Sequence, residues 1–124
     1  MRIFKTKALA RFVKSERIAD KSLVDAITNA ESGLIDADLG GGLIKQRVAR
    51  KGQGKSGGYR MIIGIRVKER AVFMFGFAKN DMDNIDDKTL ATLEETAATW
   101  LAADDEKLKR ALAAKILFEV RHDG

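Results

Sequence analysis

Two apolar runs near the middle of the chain constrain its fold more than any other feature. Residues 59–67 and 71–78 are dominated by Val, Ile, Phe, Met and Tyr, and the polar residues Lys68, Glu69 and Arg70 stand between them. Residues of these types fit a pleated, half-buried surface, and the short polar interruption predicts an antiparallel hairpin. In the first run Arg60, Ile62, Gly64 and Arg66 share one face, and Tyr59, Met61, Ile63, Ile65 and Val67 share the other. The second set is the stronger core face. The aromatics of 71–78 read as core residues rather than base-stacking platforms. Residues 43–50 predict a third strand, with Lys45 and Arg47 on one face and Ile44 and Val48 on the other. Gln46 interrupts that apolar face.

The remaining elements follow from period and punctuation. Residues 2–5 predict a short first strand. Thr6 is placed to cap a helix over 7–15, whose Leu9, Phe12 and Val13 share a face. A second helix over 20–32 carries the stripe Leu23, Ala26, Ile27 and Ala30 and stops at Gly33, a residue that tolerates left-handed dihedrals. These two helices are expected to pack as a hairpin on one side of the sheet. Residues 34–42 read as an approach segment without regular structure, their three glycines allowing a tight turn into the next strand. Asp86 or Asp87 predicts the cap of a helix to about 102, with Leu90, Leu93, Ala97 and Leu101 as its stripe. A further helix is expected over 105–115, and 116–120 as a short strand covering a sheet edge. The fold class is α/β in the α+β sense: a compact domain with a small, mainly antiparallel sheet, two N-terminal helices and a C-terminal helical extension.

Charge narrows the function. Residues 41–80 carry ten Lys/Arg against Glu69 alone, whereas residues 81–124 carry six against eleven Asp/Glu. Folded, that distribution predicts one positive face suited to phosphate. The 124 residues suffice for one domain with a modest core, and without cysteine there is neither disulfide nor thiolate chemistry. No signal peptide or membrane span is expected, since charges recur from Arg2 onward and no long apolar window exists. Gly54-Lys-Ser lacks the upstream glycine of a P-loop. Residues 79–84 are oxygen-rich but lack the twelve-residue calcium loop, and His122 stands alone. Neither a cofactor nor a metal is expected.

Three stretches carry a family resemblance: Gly42-Leu-Ile-Lys-Gln-Arg-Val-Ala-Arg, Gly54-Lys-Ser-Gly-Gly-Tyr-Arg, and Phe75-Gly-Phe-Ala-Lys-Asn followed by Asn84-Ile and a helix. With two helices ahead of them, they resemble the RelE/HigB-like toxins of bacterial type II toxin–antitoxin systems. The resemblance spans residues 1–102 as the toxin domain, with 103–124 as a helix and edge-strand extension of the same domain. It implies a cytoplasmic, metal-independent endoribonuclease that cuts mRNA on the translating ribosome and so inhibits translation. It also implies a cognate antitoxin, with a helix-turn-helix protein as one candidate class, and contact with operator DNA only through that complex.

By the same resemblance Lys45, Arg47, Arg60 and Lys79 match basic catalytic positions. Arg47 and Arg60 would clamp a phosphate, Lys45 would favour alkoxide formation and Lys79 would stabilise the leaving side. Arg50, Lys51 and Lys55 are expected to bind further RNA phosphates. Where several family members have another arginine and then a tyrosine, this chain has Asn80 and Asp86. That departure keeps two alternatives open: a catalytically weak or inactive module that binds an antitoxin, and a non-catalytic nucleic-acid-binding domain.

Overall fold

The computed structural model describes residues 1–49, 58–78 and 85–121. In chain order the elements are β1 (Arg2–Thr6), α1 (Lys7–Ser15), α2 (Asp20–Glu31), β2 (Ala37–Gly40), β3 (Leu43–Val48), β4 (Tyr59–Arg66), β5 (Arg70–Ala78), α3 (Asp87–Ala102), α4 (Asp105–Ala113) and β6 (Leu117–Glu119). They form one six-stranded sheet ordered β2-β3-β4-β5-β1-β6. Strands β2 to β5 are an antiparallel meander, β1 returns parallel to β5, and β6 closes antiparallel on β1.

The sheet is apolar on both faces. Leu9, Val13, Leu23 and Ile27 of α1 and α2 pack against Ile44, Tyr59, Met61, Ile63 and Phe73 on one side. Ala97, Leu101, Leu108 and Ala111 of α3 and α4 pack against Phe4, Leu43, Ile62, Val72 and Phe77 on the other. The face of β4 that carries Arg60, Ile62 and Gly64 is therefore roofed over much of its length. At Gly64 the approach is close: a Cβ there would lie 2.7 Å from the Ala97 Cβ.

One extra residue governs the pairing of β4 with β5. Ile62 pairs with Phe75 and Ile63 with Phe73, so Met74 is a β-bulge with no opposite number. Met74 and Phe75 consequently both turn to the α3 side, and from there the alternation is inverted. Phe77 joins them, while Gly76 faces α1, where a Cβ would lie 2.6 Å from the Phe12 ring. The bulged carbonyl is not orphaned. The Thr6 hydroxyl donates to the Met74 oxygen at 3.2 Å while accepting from the Leu9 amide at the start of α1.

Two expectations need correction. Residues 34–42 are not all irregular, for Ala37–Gly40 form β2, an edge strand paired with β3 through Ala37↔Lys45 and Asp38↔Ile44. Gly40, Gly41 and Gly42 then turn the chain with φ of 80°, 61° and 82°, all left-handed. The fourth helix also ends at Ala113, not 115. Lys115 takes a left-handed φ of 58°, and the Ile116 amide donates back to the Ala111 carbonyl, releasing the chain into β6. Among the described residues, no helix is long and apolar enough to cross a membrane.

Capping at α3 is electrostatic. Asp86 accepts from the Thr89 amide at 2.7 Å, and that bond holds its carboxyl below the ordinary value of 3.8. A depressed folded value stabilises the native state above the unfolded pKa and loses that contribution as pH falls through the folded one. Asp86→Ala should therefore lower the thermal midpoint at neutral pH, with the gap to wild type narrowing steadily in acid. A gap independent of pH would refute the charged-cap account. The packing at Gly64 gives a second expectation: Gly64→Ala should destabilise by about 1–3 kcal/mol through overpacking against α3. Urea unfolding checks it, and an unchanged midpoint would show that α3 yields freely.

Candidate functional site

Lys45 and Arg47, two apart on β3, lie on the α3 side of the sheet, and Arg47 pairs across to Arg60 on β4. Arg47 and Arg60 stand near the ends of their strands, and Lys45 lies opposite Ile62. They meet one carboxylate. Asp36 Oδ2 is 3.5 Å from Lys45 Nζ and 3.5 Å from Arg60 Nε, and Asp36 Oδ1 is 3.3 Å from Arg47 Nε. The side chains of Arg60 and Asp36 are only 10% and 15% exposed, while Arg47 is 55% exposed. The cluster thus runs from a nearly buried guanidinium at its base to a solvated one at its rim.

A buried guanidinium is tolerable only if paired and hydrogen-bonded. Arg60 meets that condition through Asp36 and through Nη1, which donates to the Tyr59 carbonyl at 3.3 Å. Tyr59 is held in turn on the opposite face. Its hydroxyl donates to Glu16 at 3.0 Å, and its ring meets Phe12 edge-on with centroids 5.5 Å apart. It is a core residue, as its place on the stronger apolar face suggested, and it also bonds through its hydroxyl.

Asp36 reaches the site because Gln46 holds its segment. The buried Gln46 amide donates to the Ala26 carbonyl at 3.0 Å and the Leu34 carbonyl at 2.8 Å, and its oxygen accepts from the Arg47 amide at 3.1 Å. Both polar atoms of the side chain bond to backbone, three hydrogen bonds in all, so α2, the segment before β2 and β3 are locked together. The Asp36 amide adds a bond to the Lys45 carbonyl at 3.1 Å. Neither Asp36 nor Gln46 stands out by residue type, although Gln46 gave a signal as the polar break in an apolar alternation.

Beside Arg47 and Asp36 a cleft of about 540 Å³ opens between α2 and β3, lined also by Ser22, Asp25, Asn29 and Leu34. Its size is in the range of small-ligand sites. Of the cationic positions expected from sequence, Lys45, Arg47 and Arg60 come together; Lys79, Arg50, Lys51 and Lys55 lie outside the described residues. Among the described residues no group of three or more His, Cys, Asp or Glu side chains converges as a metal site would. Chemically, the cluster offers directional N–H donors and positive charge to an anion, with a carboxylate at its base.

Comparison with curated protein sequences gives no match. A family model does match, over residues 1–120, and its description is the RelE toxin of the RelE / RelB toxin-antitoxin system. That span runs from β1 through β6 and includes Asp36 and the three cations gathered on it. With the α+β sheet, its helices on both faces and a match over nearly its whole length, the chain belongs to the RelE toxin family.

Proposed function

We propose that this chain is the toxin of a toxin–antitoxin pair and cleaves mRNA on the ribosome. The observation that carries the reading is the convergence of Lys45, Arg47 and Arg60 on Asp36, in a chain of this family. In RNA transesterification the 2′-hydroxyl passes its proton to solvent and the resulting alkoxide attacks the adjacent phosphorus. The bond to the 5′-oxygen breaks, leaving a 2′,3′-cyclic phosphate and a 5′-hydroxyl once that oxygen takes up a proton. Charge builds on the nonbridging oxygens, where guanidinium donors stabilise it. Arg47 and Arg60 take that role, Lys45 favours the alkoxide, and Lys79 serves the leaving oxygen. Arg50, Lys51 and Lys55 contact neighbouring phosphates. The requirement for a 2′-hydroxyl selects RNA over DNA. The partner is an antitoxin, with operator DNA bound only through the complex.

A second reading has one observation in its favour. Asp86, which stands where the resemblance implies a tyrosine in several relatives, is engaged as the cap of α3. A module that binds its antitoxin and cleaves weakly or not at all fits that replacement.

The two readings separate in one experiment. The same message is offered free and on a programmed ribosome with an occupied P site and open A site, under single-turnover conditions with saturating protein. Cleavage is expected on the ribosome alone; equal rates in both samples would sink ribosome dependence. Arg60→Ala should lower the cleavage rate about a hundredfold, the scale of one preorganised donor, and lower ribosome affinity much less. A folded variant that cleaves normally at saturation removes Arg60 from the chemistry. If wild-type protein cleaves no translated message yet purifies with the product of a neighbouring small reading frame, the binding module is the better description.

A further inference from the structure

We propose that Asp36 is a positioning residue of the cationic site: it holds Lys45, Arg47 and Arg60 at a common point and tempers their charge. The proposal concerns the same site as the reading above, but its binding arm does not depend on cleavage. Three side chains from two strands approach a single carboxylate within 3.3–3.5 Å. Like charges on neighbouring strands repel, and without an anion among them long side chains would splay toward water. Asp36 accepts a hydrogen bond from Arg47 Nε and lies at ion-pair distance from Arg60 Nε, while Arg60 Nη1 donates to the Tyr59 carbonyl, so both guanidiniums are drawn toward one point. The carboxylate is itself mostly shielded from solvent, and its chain segment is pinned by the buried Gln46 and by its own amide bond to Lys45. A surface ion pair formed by chance has no such support.

The chemistry predicts two effects of opposite sign. Removing the negative charge should strengthen ground-state attraction for a phosphodiester, because the anion no longer competes with it. Removing the anchor should weaken any step that needs the guanidiniums aligned. A residue that merely stabilised the fold would lower both together.

The test uses the full chain and its Asp36→Asn and Asp36→Glu variants, with folded fractions set by urea unfolding. The binding probe is a short single-stranded RNA with 2′-O-methyl sugars, followed by fluorescence anisotropy at several salt concentrations. Asp36→Asn should bind about three- to tenfold more tightly than wild type, with a steeper dependence on salt. On a programmed ribosome its single-turnover cleavage rate at saturation should fall about tenfold or more, and Asp36→Glu should recover part of that loss. Should Asp36→Asn not fold, wild-type NMR supplies the second arm. Titration with the same oligonucleotide should shift the Asp36 carboxyl carbon together with the Nε–H resonances of Arg47 and Arg60. Asparagine binding no tighter than wild type overturns the proposal, as does movement of the arginine resonances with Asp36 unmoved. Tighter binding by the variant, with no cleavage by wild type, supports the tempering of charge by Asp36 and sinks the nuclease reading, and with it the role of Asp36 in aligning a chemical step.

Discussion

The residue Met74, left unpaired between β4 and β5, decides how the two faces of the sheet are furnished. In a regular ladder Phe75 and Phe77 would follow Ala71 and Phe73 toward α1, and Gly76 would face α3. The bulge inverts that order. Two aromatic rings, T-shaped at 5.9 Å, are thereby delivered to the α3 side, and the space they would have filled is left for Phe12 over Gly76. Phe77 becomes the cross-strand neighbour of Arg60, so the buried guanidinium has an apolar flank on one side and Asp36 on the other. Apolar surroundings exclude water and strengthen the electrostatics of whatever charge remains. The Thr6 bond to the bulged carbonyl ties this arrangement to the first turn of α1, making the N-cap part of the same construction.

Much of the architecture was legible because its signals are local. Thr6 and Asp86 are the caps that their spacing suggested, the four helices start where polarity and period put them, and 117–119 form the expected edge strand. The edge strand β2 was not legible, because it has four residues, two of them Asp38 and Gly40, and is held by backbone bonds to β3. Neither was the bulge. A strand apolar on both faces has no hydrophobic period, so an inserted residue leaves no trace in the pattern. At the site, Lys45 and Arg47 could be placed on one face by the two-residue period alone. Asp36 could not be joined to them: the glycine turn was legible, but the pairing of β2 with β3 that carries Asp36 back beside Lys45 was not.

The division of charge along the chain has two separate physical causes, and only one of them bears on the proposed site. Much of the acidity after residue 80 belongs to helix starts: Asp86 and Asp104 are N-caps, and Asp87, Asp105 and Glu106 lie in first turns, where the positive end of the helix dipole stabilises negative charge. The basic middle divides as well. Arg70 sends Nη1 to the carbonyls of Trp100, Leu101 and Ala103, satisfying the C-terminal end of α3, so its charge is spent on structure. Lys45, Arg47 and Arg60 are different in kind. Their common partner is a side chain, not a helix end, and Arg47 at the rim stays open to solvent. Three cations held by one carboxylate leave a surplus of positive charge, shielded from water at Arg60 and open to it at Arg47, an arrangement that attracts an anion at the rim.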